Sequence, residues 1–157
     1  MQESIKAEYR RSYHWTIGKW LSILILQVCV LTTKNSLPIM RSKKWGRIIN
    51  ISSVIASVGF VGTSAYAASK SALSDFAKSV AKEVADKNIT INNIALGYMN
   101  TGMLYEIPEN IRVNIIQEIP MKTFGNPKEI CALVEYIISD NASYLAGQII
   151  GRNGGLS

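Results

Sequence analysis

Residues 47 to 73 read RIINISSVIASVGFVGTSAYAASKSAL, and this stretch decides the fold class. It opens with an isoleucine-rich run, Arg47 to Ile51, that stops at the adjacent serines Ser52 and Ser53. Apolar runs of four to eight residues bounded by turn residues suit a buried strand. A loop of glycine and small residues follows, and Tyr66-Ala67-Ala68-Ser69-Lys70 starts a helical pattern. Tyr66 and Lys70 stand four residues apart, so on a helix they share a face and come within reach of each other. A phenol held beside an ammonium at the carboxyl end of a buried strand is a proton-transfer device.

Working outward, strand and helix patterns alternate. Upstream, residues 1 to 19 mix charge with aromatics and show no period, while residues 20 to 44 fit a helix whose last turns Pro38 should disturb. Downstream, Tyr66 to Asp86 read as a helix, because Ala67, Leu73, Phe76, Ala77, Val80, Ala81 and Val84 recur with a 3.6 period. Asn88 to Leu96 (NITINNIAL) is a second buried strand, and Gly97 begins a loop. Pro108 to Ile119 reads as a short helix. Asn126-Pro127 starts another that runs to about Ser139, since asparagine caps and proline suits the first helical position. Gln148 to Gly151 is a last short strand. The alternation implies an α/β fold with a parallel sheet and right-handed crossovers. Three strands are few for such a sheet, and the first lacks an outer neighbour.

With 157 residues, 48% hydrophobic and 18% charged, the chain can build the core of one domain, and the composition excludes a disordered one. The net charge of +6 and pI near 9.4 would favour an anionic partner. The basic residues gather at Arg10-Arg11 and between Arg41 and Arg47, but no nucleic-acid motif accompanies them. A cluster of this kind is ordinarily the solvated end of a helix, so no nucleic-acid partner is expected. The apolar run from Leu21 to Leu31 is too short to span a bilayer, and no cleavage site follows it. A cytoplasmic protein with no membrane contact is expected. Cys29 and Cys131 lack CxxC or Cys/His spacing and are expected to be buried thiols without a metal. The lone His14 has no partner motif and reads as a surface residue.

WGRIINISS, then YAASK thirteen residues after Ser53, then NITINNIALGYMNT and the closing pattern IP…FGNPKEI…SYLAGQIIGRNGG together resemble the short-chain dehydrogenase/reductase family. The wording is most similar to its 3-oxoacyl-(acyl-carrier-protein) and acetoacetyl-CoA reductases. The resemblance implies that residues 34 to 157 are the carboxyl-terminal part of a Rossmann-type doubly wound parallel sheet. It implies that Tyr66 is the general acid that protonates a carbonyl oxygen while hydride arrives from NAD or NADP. Lys70 would lower the tyrosine pKa from its ordinary value near 10 and bond the nicotinamide ribose. Ser53 would hold the substrate oxygen as an electrostatic donor. The loop at Gly97, the backbone near Met99, and Thr101 would meet the nicotinamide carboxamide. The implied substrate is a small carbonyl or alcohol, or an acyl thioester. The implied partner is a second copy or an intact homologue, met through the helices beside the first strand.

Other family features are missing. Nothing in residues 1 to 46 matches the TGxxxGxG turn whose amides hold the cofactor pyrophosphate, and Gly18 is the only glycine before Gly46. The amino-terminal dinucleotide-binding half of the sheet is therefore expected to be absent, and with it activity of this stretch alone. The family's catalytic asparagine should fall near Ile25, and Leu96 stands where proline is usual. Residues 1 to 33 are atypical. Codon choices exist under which Tyr13 to Leu26, shifted by one frame, read as the family's helix (SLDNWKVVIDINF) with its asparagine across codons 24 and 25; a compensated frameshift would account for the segment.

Overall fold

The computed structural model describes residues 2–60 and 62–157, with side chains from Trp20 onward except that of Met103. The side chain of His14 and the amino-terminal arginine pair lie outside the described side chains. A 42-residue helix, α1 (Gln2–Lys43), leads into the strand β1 (Gly46–Ser53). A single turn, α2 (Ile55–Val58), precedes the long helix α3 (Ser64–Val84), and β2 (Ile89–Leu96) follows. Short helices α4 (Gly102–Tyr105) and α5 (Glu109–Glu118) fill the next loop, and α6 (Pro127–Ile138) leads to β3 (Ile149–Arg152). The strands form one parallel sheet in the order β1-β2-β3, with Gly46 opposite Ile89 and Ser53 opposite Leu96. This is the expected α/β arrangement, a partial doubly wound sheet.

Two expectations about α1 need correction. The helix runs through Pro38 and reaches back to Gln2, well before residue 20. Pro38 is exposed, and its ring removes one backbone hydrogen bond at a place where tertiary contact holds the helix. Leu37 and Met40, on either side, pack against the core of α3 and the sheet. Residues 2–19 contain no proline, and extending a helix already formed needs no new nucleation, so the missing period does not stop it. The helix ends where Lys44 turns left-handed (φ 50°) and Trp45 N–H returns to the Met40 carbonyl at 3.2 Å. Gly46 follows, where a Cβ would lie 2.5 Å from the Met40 sulfur and would displace that side chain from its place on the core.

One face of the sheet is well covered. Ala77, Val80, Ala81 and Val84 of α3 are buried against Ile89 and Ile91 of β2, with Phe76 and Ile48 beside them. Each such aliphatic burial contributes roughly 1.5–3 kcal/mol. The register places Ile48 beside Ile91 and Asn50 beside Asn93 on this same face. The other face is thinly covered by α6 and the turn after it. There Arg47 stacks on Trp45 (5.2 Å) and lies 3.7 Å from Asp140, while Ile51 is 44% exposed.

The cysteines also depart from expectation: Cys29 is half-buried and Cys131 exposed, both as free thiols. α6 buries Ile137 and turns Cys131 away from the sheet. Trp20–Lys43, 24 residues, is long and apolar enough by length and composition to cross a membrane. The eleven-residue run understated it, because Trp20 and the threonines beyond Leu31 lie in the same helix. A core helix of a water-soluble protein meets the same criterion while mostly buried, whereas only 6% of this window is buried.

Candidate active site

The carboxyl ends of β1 and β2 lie side by side, which is where open α/β sheets place their sites. β1 ends at the buried Ser53, whose hydroxyl oxygen accepts from Ile55 N–H at 3.3 Å. Val54 N–H continues the ladder to the Leu96 carbonyl at 2.8 Å, so the residues after Ser53 lie beside Gly97. The loop then rises through α2 and falls into α3, where Tyr66 sits in the first turn and Lys70 one turn later.

α3 is fastened to β1 and to α2 by two serines: Ser52 Oγ donates to the Lys70 carbonyl at 3.1 Å and Ser71 Oγ to the Ala56 carbonyl at 3.0 Å, while Ser69 Oγ donates within α3 to the Tyr66 carbonyl at 2.8 Å. These positioning residues escaped the sequence reading, which stopped at Ser53. The available signal was the alternation of β1, which turns Ser52 toward the face that α3 covers.

Tyr66 and Lys70 are brought together as their spacing predicts. The Lys70 ammonium lies 5.7 Å from the centre of the Tyr66 ring and donates to the Ile51 carbonyl at 2.7 Å. Burial holds the lysine below its ordinary pKa of 10.5, and the nearby Cys29 acts weakly in the opposite direction. A partly desolvated ammonium beside a phenol can steady the phenolate that forms when the tyrosine gives up its proton.

Gly97, Met99 and Thr101 form a second rigid segment. Gly97 N–H donates to the Arg152 carbonyl at 3.0 Å, and a Cβ there would lie 2.7 Å from Asn153 Cα. Met99 pairs with Gly125 in a parallel bridge, flanked by Asn100 N–H to Gly125 O (2.8 Å) and Gly125 N–H to Tyr98 O (2.9 Å). Thr101 is exposed and its carbonyl opens α4. A cleft of about 300 Å³ adjoins this segment, lined in part by Tyr98, Met99, Phe124, Glu129 and Arg152, the last two ion-paired. Burial, then Glu118, raises the Tyr98 pKa.

A nicotinamide dinucleotide needs two seats. The residues present fit its nicotinamide end: a rigid Gly97–Thr101 backbone and a lysine at the strand ends. They do not fit its pyrophosphate end. That end requires a strand, a glycine-rich turn and a helix amino terminus, whereas residues 2–43 form one continuous helix.

The family model described as enoyl-(acyl carrier protein) reductase matches residues 24–157, beginning ten residues before the expected Lys34. Among curated proteins, the chain is 41% identical over 126 residues to a 3-oxoacyl-(acyl-carrier-protein) reductase of Aquifex aeolicus, covering 80% of this chain and 51% of that protein. It is 40% identical over 142 residues to nodulation protein G of Azospirillum brasilense, covering 89% and 58% respectively. It is 39% identical over 124 residues to a 3-oxoacyl-(acyl-carrier-protein) reductase of Thermotoga maritima, covering 79% and 50%. The chain thus spans about half the length of the curated relatives it matches.

Proposed function

Because the chain belongs to the short-chain dehydrogenase/reductase family, we propose that it carries the proton-donating side of a carbonyl-reducing site whose substrate is a 3-oxoacyl thioester. Tyr66 gives its proton to the carbonyl oxygen, Ser53 holds that oxygen, and Lys70 steadies the tyrosine. The observation that carries this reading is Lys70, which lies over the Tyr66 ring and on the Ile51 carbonyl near the carboxyl end of β1, the strand that ends at Ser53. NAD or NADP, when bound, supplies the hydride. Gly97, Met99 and Thr101 would hold its nicotinamide end, and Tyr66 and Lys70 its ribose.

This stretch alone does not turn over substrate, because the described residues ahead of β1 form no pyrophosphate seat. We read the protein as cytoplasmic, binding neither membrane nor nucleic acid; the packing of Leu37 and Met40 of α1 against the core supports this reading.

Titration with NADPH and NADH, followed by nicotinamide fluorescence, tests the split. No saturation is expected below about millimolar cofactor, a free energy near 4 kcal/mol. A micromolar constant would show that a pyrophosphate seat exists after all. With the amino-terminal half of a relative supplied in the same chain, reduction of an acetoacetyl thioester should fall about a hundredfold or more in Tyr66→Phe, as for loss of a general acid. An unchanged rate would remove Tyr66 from the acid role.

A further inference from the structure

The loop between β2 and α6 carries a cation that the proton-transfer site does not use. Among the described residues the ion pairs are made by Arg47, Lys78, Lys87 and Arg152, and Arg112 of α5 makes none. Its Nε is buried with no hydrogen-bond partner among those residues. The positions one helical turn away are Pro108, Glu109, Ile115 and Ile116, and Glu109 forms no pair with it. A buried N–H without an acceptor is costly unless a ligand supplies one.

The guanidinium is nevertheless held in place. It stacks over the Tyr105 ring at 5.8 Å. The Tyr105 hydroxyl donates to Asn100 Oδ1 at 2.7 Å, and Asn100 N–H donates to the Gly125 carbonyl at 2.8 Å. A chain of contacts thus runs from the Met99–Gly125 bridge through Asn100 and Tyr105 to Arg112. Asn100 lies between Met99 and Thr101, so the cation is fixed relative to the seat proposed for the nicotinamide. Stacking occupies the face of a guanidinium and leaves its edge donors for an anion. Nε and one Nη form a parallel pair that matches two oxygens of a phosphate or a carboxylate.

We propose that Arg112 selects the substrate by binding the phosphate on the thiol arm of the thioester. The choice of phosphate rests on the 3-oxoacyl thioester reading, whereas the free edge of Arg112 does not. In a thioester the acyl carboxyl is already bonded to sulfur, so the reacting end offers no carboxylate. The anion lies on the thiol part, where the pantetheine arm shared by coenzyme A and carrier proteins ends in a phosphate. The net charge of +6 also favours an anionic ligand.

Titration of the 157-residue chain with phosphopantetheine, followed by the arginine side-chain Nε–H resonances, tests the seat. The Arg112 signal, assigned by its loss in Arg112→Lys, should shift saturably, and the Tyr105 ring signals should move with it. Pantetheine without its phosphate, and inorganic phosphate alone, should each bind about tenfold or more weakly, since one lacks the charged hydrogen bonds and the other the arm. Arg112→Gln should lose a similar factor. Arg112→Lys keeps the charge without the paired donors and should fall between. Coenzyme A and a carrier protein bearing the same arm separate the two sources, because the tighter binder is the one the seat serves. The proposal is overturned if phosphopantetheine leaves the Arg112 signal unmoved, if pantetheine or inorganic phosphate binds as well, or if Arg112→Gln binds like the parent. The three small probes on the parent decide the matter even where a variant fails to fold. None of these measurements involves turnover. A Tyr66→Phe variant that kept its rate would remove the acid role and leave this binding result standing, while parental binding by Arg112→Gln would remove the seat and leave the acid role.

Discussion

Lys70 is where the chemistry of the site and the state of the chain meet. Its ammonium sits over the Tyr66 ring and on the Ile51 carbonyl, and burial disfavours its charge. The folded pKa lies below the unfolded one, so between the two values the unfolded chain binds more protons. Stability should therefore rise as pH climbs through that window toward 10.5, and Lys70 contributes no such rise at lower pH. Titration of the Lys70 side-chain resonance should place it below the ordinary lysine value of 10.5, and Lys70→Met should flatten the rise in thermal stability. A Lys70 resonance titrating at the ordinary value would contradict the burial. At Gly97 the constraint is steric. A methyl group 2.7 Å from Asn153 Cα must push backbone aside, so Gly97→Ala should cost about 1–3 kcal/mol in urea unfolding. A loss under 0.5 kcal/mol would mean that the two loops are not locked together.

Among the elements, β2 does the most to connect the sheet, and it does so through polar side chains. Asn92 is fully buried; its Nδ2 donates to the Leu145 carbonyl at 2.7 Å and its Oδ1 accepts from Gln148 N–H at 3.0 Å. It thereby aligns the segment entering β3, which carries Arg152 and Asn153 to the Gly97 loop. Asn92→Ala removes both part-buried hydrogen bonds and should cost roughly 1–3 kcal/mol. Exchange should accelerate at Gln148 to Arg152 while the amides of α3 stay protected; uniform acceleration would place the asparagine in the global core instead. Asn93 Nδ2 similarly donates to the Leu73 carbonyl at 3.1 Å, tying β2 to α3. Its Oδ1, and Nδ2 of the register neighbour Asn50, are buried without partners.

For the whole molecule, what matters is the apolar surface it shows. Trp20, Leu21, Leu24, Val28, Leu31 and Ile39 are exposed along α1, and Ile51 is exposed on the thin face of the sheet. Monomeric proteins rarely show contiguous apolar patches of this kind without a partner. The chain should bind an apolar dye such as anilinonaphthalene sulfonate while keeping its helical far-ultraviolet spectrum, and the supplied amino-terminal half should reduce the fluorescence. Fluorescence at the level of an ordinary compact protein would mean that the surface is covered some other way.

Much of this was legible in the residues themselves. The 3.6 period of α3, the isoleucine runs of β1 and β2, and the Asn126 cap with Pro127 are local signals, and each element formed within a few residues of where those signals place it. Tyr66 and Lys70 were legible for the same reason, since a spacing of four on a helix fixes a shared face. What the sequence could not determine depends on contacts between distant segments. α1 runs through Pro38 because Leu37 and Met40 find a core made by residues some forty positions later. The serines that hold α3, the Met99–Gly125 bridge and the exposure of Cys131 likewise follow from which segment lies against which. The open edge of β1 was legible in the strand count, which leaves the first strand without an outer neighbour; only the tertiary structure fixes the register that sends the backbone groups of Gly46 and Val54 to β2 and leaves those of Arg47, Ile49, Ile51 and Ser53 on the open side.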